Sequence, residues 1–315
     1  MAKPNPITFH VPASAANLGP GYGVMGLALD LPLGITVEPA TDGAIKIERR
    51  DDPSAHLEDQ RHDPVMRGLV LGAELLSVSL KQGMSIVGEG TIPRGTGMGT
   101  ISAGYAAGLG VAVRMAKKKP SPSVVLDALI SLGGDPAHGA AALLGGLTVT
   151  SQLSLPPEAE LRHEPLSMPL HKDWHYVIAL PDVTMGTADA QRVLPPTLPH
   201  AATRRTTGRA FGVLRALEQG DEDLLRACIV DEVHLPYRRR LVPGLDEALD
   251  SATEAGAAGA TLCGHGAGVF ACTTVPGRVP EIAKAMVHAF GKANCEATTL
   301  TLQSAFYGAY PHSAS

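Results

Sequence analysis

Three side chains suited to nucleophilic or acid–base chemistry fall in two short glycine-bearing stretches. Cys263 and His265 flank Gly264 in GATLCGHGAGVFACT, residues 259–273, and His138 lies in DPAHGAAALLGG, residues 135–146. A thiol becomes a nucleophile only as a thiolate, which needs an imidazolium or a helix N-terminus beside it. Without such a neighbour Cys263 is a small apolar packing residue. His138 falls in the first turn of an expected helix, where the dipole disfavours an imidazolium. A neutral ring there suits a base or a hydrogen-bond donor. Cys228, Cys272 and Cys295 have no comparable neighbours and read as packing residues. No HExxH or similar spacing occurs, so no metal site is expected.

A third stretch, GTGMGTISAG at residues 95–104, is a glycine-rich loop running into a helix. Backbone amides at such a junction cradle an anion without any side chain. The position that would want a hydroxyl for phosphate or metal is Ile101. The loop therefore reads either as an anion cradle or as a shape that lets strand and helix pack.

The elements that must position these groups follow from periodicity and turn residues. ITFHVPASAANLGPGYGVMGLALDLPLGITVEP reads as a strand, a Gly/Pro turn and apolar runs of β-type residues; AIKIERR, GMSIVGEGTIP, LTVTSQLSL, WHYVIALP and CEATTLTL read as strands, and GATLCGHGAGVFACT as a strand pair broken by a glycine turn. Helices are expected over residues 63–80, 100–116, 122–134, 203–217, 221–233, 244–256 and 279–293, with Asp135 capping another that Pro136 opens. The Pro-rich stretch 155–169 reads as a connection, which gives an α+β chain of two domains, 1–155 and 156–315.

The chain has 315 residues, 44% hydrophobic and 18% charged, with a formal net charge of −5. That composition builds a globular core and excludes nucleic acid as the expected partner. No apolar segment approaches the roughly 20 residues that span a bilayer, and MAKPNPITFH lacks a secretory apolar region. Four cysteines without a CxxC pair fit a reducing cytoplasm.

VPASAANLGPGYGVMGLAL (11–29), IPRGTGMGTISAG (92–104) and GAAGATLCGHGAGVFA (256–271) resemble, in order, the three motifs of the GHMP kinase superfamily. DPAHGAAALLGGL, DEVHLPYR and GTADAQRVLP extend the likeness to its homoserine kinase family. The resemblance implies an N-terminal domain like ribosomal protein S5 domain 2, a ferredoxin-like C-terminal domain, a cleft between them, and a homodimer. It also implies roles that this chain keeps or loses. Kept are Asn17, Arg238 as a carboxylate anchor, and Gly95, Gly97 and Gly99 of the loop. Lost are the substrate-amine Asp, here Gly23; the second loop serine, here Ile101; the magnesium-site acid, aligned with Gly133; and one carboxylate Arg, aligned with Gln191. His138 stands for an Asn, and Cys263 and His265 for small residues, all near the cleft.

These replacements lead to the expectation of an enzyme on the GHMP fold that no longer phosphorylates and needs no cofactor. Cys263, His138 and His265 would act on a small carboxylate as an isomerase or tautomerase, or as a hydrolase. Substrate would be held by Asn17, Arg238, Gln191 and the backbone of Gly97, Met98, Gly99 and Thr100. The alternative is a divergent kinase with ATP and Mg2+. There Gly95, Gly97, Gly99, Thr100 and Ser102 hold nucleotide, and Thr100, Ser102 and Asp135 replace the lost ligands. A metabolite-binding pseudokinase is the third reading.

Overall fold

The computed structural model describes residues 6–40, 43–50, 60–153, 161–183 and 185–311. The chain opens with β1 (Ile7–Asn17) and β2 (Gly21–Pro39), an antiparallel pair joined at a tight turn. β2 is 19 residues long and is the spine of the larger sheet. It pairs with β1, with β4 (Met84–Glu89) and with β5 (Leu147–Leu153). β3 (Ile45–Arg49) lies parallel to β4 at one edge, and β6 (Arg162–Met168) closes the other.

Four helices cover this sheet: α1 (Pro64–Leu75), α2 (Thr100–Met115), α3 (Pro122–Ser131) and α4 (Pro136–Leu144). α1, α3 and α4 start alike, with an Asp or Ser side chain accepting a backbone N–H and a proline in the first turn. α2 is buried continuously from Ser102 to Val113. Its alanines and glycines permit close approach; a Cβ on Gly108 would stand 2.0 Å from the Val65 carbonyl oxygen of α1.

The smaller sheet is fully antiparallel, in the order β10 (Ala297–Leu302), β7 (His175–Pro181), β9 (Val269–Thr273), β8 (Gly259–Leu262). α9 (Leu245–Glu254) and α10 (Val279–Lys292) pack on it around Val177, Ile282, Met286 and Phe290. Between β7 and β8 the chain forms α5 (Thr187–Arg192), α6 (His200–Gln219), α7 (Glu222–Cys228) and the short α8 (Leu235–Arg238).

The mixed helices and two sheets agree with the architecture that the motif resemblance implies, and three details differ from the sequence reading. Of the stretch read as a connection, residues 155–160 lie outside the described residues, while 162–168 form β6 in the larger sheet. Pro165 is tolerated because β6 is an edge strand. The helix expected over 63–80 ends at Leu75, followed by Ser77 at φ 54°. The helix expected over 221–233 ends at Cys228, because Asp231 takes the N–H groups of Val233, His234 and Leu235 at 2.6, 3.2 and 2.7 Å. Such local side-chain bonds compete with helix continuation.

Candidate active site

The glycine loop is held by direct contact with the turn between β8 and β9. Ala267 and Gly268 donate to the carbonyls of Gly95 and Thr96 at 3.1 and 3.0 Å. A Cβ on Gly97 would lie 1.7 Å from the Cys263 carbonyl oxygen, and one on Gly266 would lie 1.9 Å from the Gly97 nitrogen. Neither position admits a side chain, and Gly97 is also left-handed, at φ 80°. The interlock fixes where α2 begins. Gly99 is its N-cap at φ 74°, and Ala103 N–H starts the helical bonds by donating to Gly99. Among the described residues, the amides of Gly99, Thr100, Ile101 and Ser102 reach no protein acceptor.

These amides border a cavity of about 360 Å³. Gly95, Gly97, Met98, Thr100 and Ser102 share its lining with Asp135 and His138 of the α4 start, Gln191 of α5, and His265. Sequence reasoning therefore brings most of its candidates to one place. The details of their bonding change what each can do.

Asp135 is anchored twice. Its Oδ1 accepts the His138 N–H at 2.9 Å, and its own N–H donates to Ser102 Oγ at 3.3 Å. Its Oδ2 lies 3.5 Å from His265 Nδ1, with the two side chains 19% and 10% exposed. Burial lowers His265 to about 4, reinforced by Arg238 and His138 and opposed by Asp135. His138 is held low chiefly by burial, and its Nδ1 meets Ser14 Oγ at 2.8 Å. The Ser14–His138 pair lies against the Gly99 α-carbon, so this neutral ring braces the loop as well as lining the cavity.

Three candidates lie outside the lining. Cys263 is fully buried, its thiol donates to the Gly97 carbonyl at 3.2 Å, and burial pushes it up to about 12. A nucleophilic thiolate is thus corrected to a packing thiol. Asn17, assigned from sequence to substrate, spends its amide within the protein: Nδ2 donates to the Gly264 carbonyl at 2.8 Å and Oδ1 accepts from Gly23 N–H at 2.9 Å. It ties the first glycine motif to the third.

Arg238 is fully buried behind α5. Its Nε donates to Ala190 at 3.0 Å, its Nη1 to Gly264 at 3.1 Å and to His234 Nδ1 at 3.2 Å, and Tyr22 lies under the guanidinium. The His234 Nε2 then faces Asp231 Oδ2 at 3.0 Å, off the line of a good hydrogen bond. Arg238 Nη2 is buried with no acceptor.

The cavity is also lined by Arg49 and Arg94, which sequence reasoning did not select. Arg94 adjoins the glycine loop, a signal that was available. Arg49 arrives only through the parallel β3–β4 pairing and is ion-paired to Asp63 at 3.1 Å. No local pattern marks it.

A family model described as GHMP kinases C terminal matches residues 213–293. The homoserine kinase of Crocosphaera subtropica is 30% identical over 312 residues, covering 96% of both chains. The chain belongs to the homoserine kinase family of the GHMP kinases. The homoserine kinase of Deinococcus radiodurans is 32% identical over 267 residues, covering 84% of each chain. In structure, the homoserine kinase from Cytophaga hutchinsonii superposes with a TM-score of 0.84 at 23% identity, covering 98% of each chain. A mevalonate kinase from L. major superposes at 0.68 and 16%, covering 97% of this chain and 98% of that one.

These relatives overturn the expectation of a cofactor-independent isomerase, tautomerase or hydrolase, since chains matched over nearly their whole length are homoserine kinases. The expectation of no cofactor falls with it. A transferase is the class that fits the family. No helix among the described residues is long and apolar enough to cross a membrane.

Proposed function

We propose that the protein is a kinase that transfers a phosphoryl group from ATP to the hydroxyl of a small carboxylate-bearing alcohol related to homoserine. The observation that carries this reading is the row of amides without protein acceptors at the start of α2, bordering the cavity. Helix amides and the dipole behind them favour phosphate oxygens there. Bound ATP supplies the transferable phosphoryl group. The interlock with residues 263–268 holds the loop rigid, so binding needs no reorganisation of the cradle.

By the family resemblance Arg238 is the residue for the substrate carboxylate, although it lies behind α5 and outside the cavity lining. Its Nη2 has no acceptor in a fully buried position, a state that an anion would relieve with a charge-assisted hydrogen bond. Gln191, one residue beyond the Ala190 carbonyl that holds Arg238, lines the cavity. Gly23 stands where the family resemblance expects an acid for the substrate amine, and a side chain there would meet nothing within 4 Å. The amine of homoserine has no counter-charge at that position, which favours an acceptor without it.

The residues fit the phosphates of a nucleotide but not a protein-held magnesium ion. Ile101 offers no oxygen, and Gly133 no carboxylate. The Thr100 hydroxyl donates to the Ile92 and Pro93 carbonyls, Ser102 Oγ accepts from Asp135, and Asp135 is shared between the α4 cap and His265. Among the described residues no group of three metal-ligating side chains exists. A magnesium ion here would rest on the nucleotide's own oxygens and water, and no step is assigned to it.

The test is incubation with ATP, magnesium and either L-homoserine or 4-hydroxybutyrate, followed by phosphorus NMR. Expected is a phosphate monoester formed one-for-one with ADP, with the amine-free acid at least as good an acceptor. Failure of both acids to yield a monoester would overturn the reading.

A further inference from the structure

We propose that His265 is the proton acceptor for the substrate hydroxyl, with Asp135 as its positioning residue. The proposal rests on the kinase reading above. His265 and Asp135 come from the third glycine turn and from the cap of α4, and both line the cavity beside the start of α2. Asp135 cannot drift, because its carboxylate caps the helix and its N–H holds Ser102. Its second oxygen faces Nδ1 of His265 at 3.5 Å, which leaves Nε2 as the other reactive nitrogen of the ring. That nitrogen makes no hydrogen bond to the protein among the described residues.

Two other candidates in the cavity are already bonded within the protein. His138 is tied to Ser14 behind Gly99, and the Thr100 hydroxyl is tied to Ile92 and Pro93. The groups facing His265 are Asp135 and His138 from α4, Arg238 from α8, His234 just before it, and the Tyr22 ring from β2. Their sum with burial leaves the ring at about 4, so it is unprotonated at neutral pH and has a lone pair to offer.

In the transfer step the hydroxyl oxygen bonds to the terminal phosphorus of ATP. The bond from that phosphorus to the bridging oxygen breaks, and its electron pair leaves with ADP. The hydroxyl proton passes to His265 Nε2. Asp135 stabilises the imidazolium so formed, which then returns the proton to solvent.

The experiment is the pH dependence of phosphoryl transfer by the wild type, His265→Gln, His265→Asn and Asp135→Asn, each first shown to melt cooperatively. The wild type should lose kcat/KM on the acid side as His265 protonates. Both His265 variants should lose about 100-fold in kcat, keep the KM for ATP, and lose that acid limb. Asp135→Asn retains a capping side chain; it should lower kcat by about tenfold and move the limb to lower pH, since the carboxylate raises His265. Variants of His265 with kcat within about threefold of wild type and the same limb would overturn the proposal alone. A wild type that forms no monoester would overturn the kinase reading and this proposal together.

Discussion

The thiol of Cys263 donates to the Gly97 carbonyl 3.2 Å away, in a fully buried position where burial pushes it up to about 12. Cys263→Ala is accordingly expected to leave phosphoryl transfer within about threefold and to cost about 1 kcal/mol in urea unfolding, as an ordinary core truncation does. A thiol reagent added to the native protein should label the half-buried Cys228 and spare Cys263, as mass spectrometry would show.

Three buried histidines contribute to the acid stability. His234 is lowered to about 3 and His265 to about 4, and His138 is also lowered, in each case mainly by burial. Unfolded histidine titrates near 6.5. Between that value and the folded ones the unfolded chain binds more protons, so stability is full above it and falls on acidification. Each such histidine contributes about 1.4 kcal/mol per pH unit over its window. Urea midpoints should therefore drop steadily from pH 7 to pH 5, and less so in His265→Gln. At this scale the sequence showed which residue types gather at the cleft, including His138 and His265. It could not show that Asn17 and Cys263 are consumed by Gly264 and Gly97, partners 247 and 166 positions away.

The glycine loop and the β8–β9 turn behave as one element, and two of its glycines test that. Gly97 and Gly95 are both left-handed, at φ 80° and 73°. A Cβ at Gly97 would collide with the Cys263 carbonyl at 1.7 Å, whereas one at Gly95 meets nothing within 4 Å. Gly95→Ala is expected to cost only the left-handed penalty of about 1–2 kcal/mol. Gly97→Ala should cost well beyond that and abolish ATP binding, because the α2 start must move. Equal losses for the two in chemical denaturation would show that the interlock contributes nothing. Both turns were legible in sequence from glycine spacing, as were the paired strands around residues 263–268. The edge strand β6 was not, because RHEPLSM carries a proline and alternates poorly; its strand form comes from seven residues of register with β5. Asp231 likewise ended a helix for reasons that hydrophobic period does not contain.

The last residues couple the two sheets. After β10, Gln303 accepts from Asp30 and Ala305 donates to Ala28, at 2.9 and 3.0 Å; Ala309 and Tyr310 then donate to Ala142 and Leu143 at 2.9 Å each. Truncation after Leu302 is expected to split the unfolding of the chain into two transitions or to lower its midpoint sharply, whereas the whole chain should unfold in one. The cavity depends on that coupling, since α2 and α4 supply one part of its wall and Gln191 and His265 another. Thermal unfolding of the whole chain with and without ATP, in the presence of magnesium, tests most directly whether this cavity is a nucleotide site. At 100 times the dissociation constant the nucleotide should add about 2.7 kcal/mol, a rise of several degrees that Gly97→Ala abolishes. An unchanged midpoint at millimolar ATP would contradict the account.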